Sequence, residues 1–471
     1  MDESGSGLET FETLLRSLGV RAPEPGQVRI DGADPVLATR FRVGEAAAAA
    51  LAACALQAAR IFETRGGRRQ TVRVDVVGAA ASLLGFLFQR AENPAGLPAY
   101  DPARAVTGIY PTRDGGHFLL HGSFPESQAR ALAWLGCDAD VAEVARRIAS
   151  WDGQALEDAL AERGLCGARV RSAAEWREHA QGRALAALPV VEVIKLADGP
   201  PEPFAPGARP LSGVRVLDLT RVLAGPTCGR TLASHGADVL RIGSPKLPSI
   251  APFVIDTSHG KRSAHLDLDL PGDVERLREL SREADVFAQG YRSGALSRRG
   301  FGPEALCELR PGIVYTSINC YGHQGPWALR PGWEQLAQAV TGIALEHGGA
   351  SGPSLLPAAA TDYNTGYLAA LGTMIALSRR STEGGSYHVR ASLCQTGMWL
   401  ERMRRSDSAG AGLSPERIAP FLVRSETSYG QPQHLGPIVE MSETPARWEL
   451  PTPPLGAHPP RFGAGQRRSE S

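Results

Sequence analysis

Apolar residues crowd between positions 213 and 242, GVRVLDLTRVLAGPTCGRTLASHGADVLRI. Val214, Val216, Leu217 and Leu219 form a near-continuous apolar run, the pattern of a strand covered on both faces, and 239–242 repeats it after Gly236. A small-residue turn and a short helix separate the two runs, so the segment predicts a βαβ unit with parallel strands. Strands are expected at 214–219, 237–242, 284–289 and 312–319 with helical stretches between them. That alternation predicts an α/β fold built on a doubly wound parallel, Rossmann-like sheet. Upstream, YPTRDGGHFLL reads as a strand pair about a glycine turn, and Ala- and Arg-rich helical segments follow it. A smaller α+β domain over 105–195 is the expectation.

The seam between these parts is LADGPPEPFAPGARP at 196–210, with five prolines and no apolar periodicity. The larger domain is expected over 211–400 and a Pro-rich C-terminal tail over 401–471. Residues 1–100 read as a helix-strand remnant, because 44–80 can be laid beside 365–397: both give an Ala-rich helix, a Gly-Gly turn, a strand and a helix. With Gly44 set on Gly366, Arg40 stands where the second stretch has Asp362. The first copy is therefore expected to be truncated and to lack the acid.

The chain has 471 residues with 50 basic and 50 acidic side chains, so no net field argues for nucleic acid or an anionic membrane. A small-molecule partner is expected. Ala46 to Ala59, bounded by Glu45 and Arg60, reads as too short and too weakly apolar to span a bilayer, and no signal peptide opens the sequence. Seven cysteines lie far apart with no CxxC pair, which points away from a zinc ribbon or a disulfide framework and towards a reducing, cytoplasmic setting. Cys228 is expected to be a packed thiol without chemistry.

Two places could carry chemistry. Ala224-Gly225-Pro226 allows close backbone approach at a helix N-terminus, where a phosphate-bearing ligand could dock, although many βαβ turns use glycine for geometry alone. Asp362, in AAATDYNTGYLAALGTMIALSRR, stands at the start of a long apolar helix. The helix dipole is expected to favour its ionised form by about 0.3–1 kcal/mol. By position alone an Asp at a helix start is far more often a structural cap.

Taken in order, LDLTRVLAGPTCGRTLASHGADVLRI, GKRSAHLDL, GALSRRGFGPEAL, SINCYGHQGPWALRPGWEQLAQAVTG and ATDYNTG resemble the class III CoA-transferase family of CaiB/BaiF type. That family includes formyl-CoA and carnitine CoA-transferases and α-methylacyl-CoA racemase, and the resemblance covers roughly 210–400. The segment 105–195 is similar to the family's small domain, which there follows the nucleotide-binding part; here it comes first, as though two copies were fused and the first truncated. SETPARWELPTPPLGAH resembles the family's C-terminal end.

The resemblance implies that Asp362 attacks an acyl-CoA thioester and that CoA passes to a small carboxylic acid, with neither metal nor permanently bound cofactor. It places Val222, Leu223 and Ala224 against CoA by their backbone, makes Arg298 a phosphate partner, and adds Lys261 and Arg262 as further basic candidates. Gly322 and Gly325 are candidates to line the oxyanion space. Trp333 stands where the racemase branch carries a histidine. Tryptophan exchanges no proton, so an aromatic wall over the acyl group is expected instead, with His323 nearby as a minor candidate base. Gly243 and Ser258 depart from the family's acidic residue and asparagine. An inactive CoA-binding subunit is the remaining alternative, against which the retained Asp362 argues. A homodimer is compatible with the resemblance.

Overall fold

The computed structural model describes residues 5–89 and 106–463. Its centre is a seven-stranded sheet in the order Val191–Ala197, Ser386–Ser392, Val314–Asn319, Val286–Gln289, Arg215–Leu219, Asp238–Gly243, Lys261–His265. Every neighbouring pair is parallel except the first, in which Val191–Ala197 runs antiparallel to Ser386–Ser392. The apolar runs read from the sequence are therefore central strands, enclosed on both faces as their continuity requires. Val191–Ala197 crosses the boundary expected at 195–196, so the sheet's edge begins where a linker was anticipated. Lys261–His265, polar at its start, gave no strand signal because its neighbours, not its composition, make it one.

The chain winds from Arg215–Leu219 outward in one direction and then returns to build the other half. The switch lies between Arg215–Leu219 and Val286–Gln289, and the loop Thr220–Leu223 leaves the sheet at its carboxyl edge there. Open α/β sheets bind ligands at such a point.

The smaller domain is an antiparallel sheet of Gly108–Pro111, His117–Leu120 and Gly167–Arg169. Phe118, Leu120, Leu132, Val144 and Leu160 form its own core beneath three helices.

The N-terminal unit pairs Val28–Asp31 in parallel with Val72–Asp75. Between them runs the Val43–Thr64 helix, whose small residues pack against the Ala360–Glu383 helix within one shared core. The helix outruns the 46–59 stretch judged too short for a membrane: its 22 residues include an 18-residue window of mean hydropathy 1.3, enough by length and composition, yet 89% of that window is buried inside the protein. It is a core helix.

The C-terminal stretch expected as a tail is built into both units. Val439–Met441 adds an antiparallel third strand to Val72–Asp75, the Trp448 ring N–H donates to the Arg230 carbonyl at 3.1 Å, and the His458 N–H donates to the Ser263 carbonyl at 2.8 Å.

The repeat register also changes. Counted from the helix starts, Asp362 and Glu45 are each the third residue, of Ala360–Glu383 and Val43–Thr64, whereas Arg40 lies before its helix. Glu45 is buried, accepts the Asp34 N–H at 3.1 Å and pairs with Arg42 at 3.3 Å.

Candidate active site

A cavity of about 390 Å³ opens at the carboxyl edge of the sheet, and Asp362 lies in its lining. The Thr220–Leu223 loop contributes Val222 and Leu223, the start of the Glu334–Thr341 helix contributes Trp333 and Glu334, the smaller domain His121, Ser123 and Phe124, and the N-terminal unit Leu84, Phe86 and Leu87.

The loop is held in an unusual shape. Val222 has φ 71°, a left-handed conformation that a β-branched residue avoids, at an expense of about 1–3 kcal/mol. A brace beneath the loop sustains it. Asp218, fully buried at the centre of the sheet, accepts from the Thr220 N–H at 3.1 Å and from Lys261 Nζ at 2.7 Å, and the same Nζ donates to the Pro226 carbonyl at 2.7 Å. Gly225 is required because a Cβ there would sit 2.3 Å from Thr220 Cβ.

Asp362 is delivered by close helix packing. A Cβ on Gly366, one turn along, would lie 2.5 Å from the Ala224 carbonyl oxygen, so glycine at that place lets the Ala360–Glu383 and Ala224–Ser234 helices approach. Asp362 is 8% exposed, and its carboxylate has no hydrogen-bond or ion-pair partner among the described residues. Burial, and secondarily the nearby Glu334 carboxylate, pushes its pKa well above the ordinary range. The expectation that the helix dipole keeps it ionised is thus reversed: desolvating a carboxylate outweighs a dipole term of about 1 kcal/mol. Glu334 is buried as well, accepts from Gln338 Nε2 at 2.5 Å and Thr361 Oγ1 at 3.2 Å, and is raised by burial to about 7.

Trp333 walls the cavity, stacked on His121 at 5.4 Å and tilted against Phe124 at 4.9 Å. Burial lowers His121 to about 3, so its imidazole is neutral.

The other sequence candidates lie in different surroundings. Ala224 begins the helix beside Leu223. Lys261 is enclosed and spent on Asp218 and Pro226; this corrects its assignment as a CoA contact, since an ammonium with no exposed surface cannot meet a phosphate. Arg262 is partly exposed and pairs with Asp238 on the neighbouring strand. Arg298 is exposed on a short 3₁₀ turn, Ser297–Arg299. Gly322 and Gly325 are corrected too: they do not line this cavity, and both are left-handed turn positions (φ 93° and 86°) packed on Leu185 and Gln181 of the smaller domain. His323 is half-buried, bonded to Ser317 Oγ at 2.7 Å, and desolvation lowers it to about 3. Cys228 is buried, and burial raises its thiol.

Sequence reasoning missed Glu334, His121, Phe124 and the N-terminal contribution. Of these only Glu334 carried a signal, an acid directly after Trp333 at the head of an apolar helix. It also missed Arg241, which is buried near Val222 with one guanidinium nitrogen unpartnered. Among the described residues no cluster of three or more His, Cys, Asp or Glu could hold a metal ion.

The sequence pattern of CoA-transferase family III matches residues 25–200 and 211–420. The match reaches well beyond the 210–400 of the motif resemblance and takes in the N-terminal unit. An acyl-CoA transferase of Gibberella moniliformis is 38% identical over 63% of this chain and 58% of its own length. The acetyl-coenzyme A transferase nodX of Hypoxylon pulicicidum is 36% identical over 63% of this chain and 54% of its own. The chain spans a little over half the length of these curated relatives. A CAIB/BAIF family protein of Brucella suis with a solved structure is 29% identical over 48% of this chain and 65% of its own, at a TM-score of 0.40.

Proposed function

Because this chain belongs to CoA-transferase family III, we propose that it moves CoA from an acyl-CoA thioester to a carboxylic acid through Asp362. The observation that carries the reading is a buried, unpartnered carboxylate opening into a cavity whose rim is the strained Val222-Leu223 loop.

In the first step an Asp362 carboxylate oxygen attacks the thioester carbonyl; the C–S bond breaks, CoA leaves as thiolate and an aspartyl-acyl anhydride forms. The thiolate then attacks the Asp362 carbonyl, expelling the donor as a free carboxylate and leaving an aspartyl-CoA thioester. The acceptor carboxylate displaces CoA from Asp362 to form a second anhydride, and the thiolate attacks its acyl carbonyl. New acyl-CoA departs and the Asp362 carboxylate is restored. The first and third steps exchange an acyl-sulfur bond for an acyl-oxygen bond and the second and fourth reverse that exchange, so no external oxidant or reductant is consumed.

The parts around Asp362 fit these roles. The Ala224 and Gly225 N–H groups at the start of the Ala224–Ser234 helix lack intrahelical acceptors and lie beside Leu223 at the cavity edge, where developing negative charge would gather. The aromatic group of Trp333, His121 and Phe124 keeps water from the anhydride. The racemase alternative needs a proton acceptor on each face of the α-carbon; His121, lowered to about 3, is a poor one at neutral pH, which leaves Glu334 beside Asp362 as the second base it would use.

Intact-protein mass after incubation with acyl-CoA and hydroxylamine tests the reading. A hydroxamate on Asp362 that requires acyl-CoA, and that is absent in Asp362→Ala, is the expected result. Exchange of the substrate α-proton with solvent deuterium and no adduct would replace the transferase reading with the racemase one.

A further inference from the structure

We infer that the cavity at Asp362 receives an acyl group that is apolar beyond its thioester carbonyl, and that the N-terminal unit supplies the wall that selects it. This inference rests on the transferase reading and names its substrate class. Leu84, Phe86 and Leu87 face the cavity from the unit that precedes the smaller domain.

That wall is fastened to the helix that carries Asp362. The Ala359 N–H donates to the Leu83 carbonyl at 3.2 Å, the Tyr367 hydroxyl to Ser82 Oγ at 2.9 Å, and the Phe86 N–H to the Tyr363 hydroxyl oxygen at 3.2 Å. Gln89 Nε2 donates at 3.1 Å to Asp256, the carboxylate that accepts the Tyr363 hydroxyl at 2.7 Å. Two of these ties engage Tyr363, the residue after Asp362, so wall and nucleophile are held in one frame. Phe86 extends the apolar surface by an edge-to-face contact with Phe253 at 4.8 Å.

Charge decides the class. Among the described residues lining the cavity none is Lys or Arg, and the titratable ones are Asp362, Glu334 and the neutral His121. A dicarboxylic acyl group would bring its free carboxylate into a space whose described lining carries two acids and no cation, the Arg241 guanidinium with its unpartnered nitrogen lying behind Val222 in the adjoining pocket. An apolar chain gains instead about fourfold in kcat/KM for each methylene that leaves water, while the pocket has room. Leu87 is 60% exposed at the rim, so a substitution there leaves the core packing in place.

The test uses the full chain and the Asp362 hydroxamate as readout, comparing butyryl-, hexanoyl- and phenylacetyl-CoA with succinyl- and glutaryl-CoA. The expected result is adduct formation at least tenfold faster with the apolar thioesters, rising from butyryl to hexanoyl. In Leu87→Arg the succinyl-to-hexanoyl ratio should rise at least tenfold, through KM and not kcat, while Leu87→Glu should not raise it. Equal or faster labelling by dicarboxylic thioesters would overturn the inference and leave the transferase reading intact, and an unchanged ratio in Leu87→Arg would overturn the wall's role. If no thioester labels Asp362, both readings fall together.

Discussion

Replacing Lys261 with Met separates a structural brace from a CoA contact. Both side chains of the Lys261–Asp218 pair are wholly enclosed, with Nζ and Oδ2 2.7 Å apart. Removing the ammonium leaves a buried carboxylate held only by Thr220, a loss worth about 3–5 kcal/mol. The Pro226 carbonyl loses its Nζ donor as well, an orphaned acceptor costing about 1–3 kcal/mol that overlaps with the first figure because one side chain serves both. Methionine refills the stem's volume, so little cavity term is added. Urea unfolding followed by circular dichroism should show Lys261→Met destabilised by about 3–5 kcal/mol. Combining Lys261→Met with Asp218→Asn should recover most of the loss and leave about 1–3 kcal/mol for the Pro226 carbonyl. A direct phosphate contact predicts the opposite: a stability change below about 1 kcal/mol, CoA affinity down tenfold or more, and no recovery in the double variant. That outcome would refute the brace.

Three further outcomes follow from the same geometry. Because the pKa of Asp362 is raised in the folded state, its contribution to stability is present at low pH and lost as pH rises through that raised value; Asp362→Asn should therefore stabilise the fold more at pH 8 than at pH 5, and equal unfolding midpoints at both would contradict it. Adduct formation needs the ionised Asp362, so its rate should climb with pH, and Glu334→Gln, which removes the like charge, should move that climb to lower pH; a pH series of hydroxamate rates checks the direction. Gly366→Val forces a side chain against the Ala224 carbonyl and Thr227, so a loss of at least about 1–3 kcal/mol with a matching fall in adduct rate is expected, read by urea unfolding and by mass.

The parts legible in the sequence are those whose environment is local. Strands enclosed on both faces must be apolar throughout, so Arg215–Leu219 and its neighbours declare themselves. Gly366 and Asp362 share one motif because the glycine admits the helix approach that places the acid. What stayed hidden depends on distant chain. Lys261 looks like any basic residue until Asp218, on a strand two places away in the sheet, is found in contact with it. Gly322 and Gly325 look like an oxyanion loop until the smaller domain's Leu185 and Gln181 fill the space beside them. Val191–Ala197 looks like the end of the smaller domain running into a linker until Ser386–Ser392 pairs with it.

Asp362 and Glu45 show why position on a helix does not by itself make a reactive acid. Both are third residues of long core helices, and both are buried. Glu45 is met by Arg42 and by the Asp34 N–H, so its charge is compensated inside the N-terminal unit and it has no path to a substrate. Each has an acid nearby, Asp34 for Glu45 and Glu334 for Asp362, but Asp362 is met by no cation among the described residues and opens into a cavity. The same helix dipole acts on both, so it cannot be what separates them. The difference lies in what the surrounding elements bring: an arginine in one case, and in the other a strained loop, an aromatic wall and the Leu84–Leu87 segment. The N-terminal unit thus holds an acid silenced by its pairing while lending its far end to the acid left free to react.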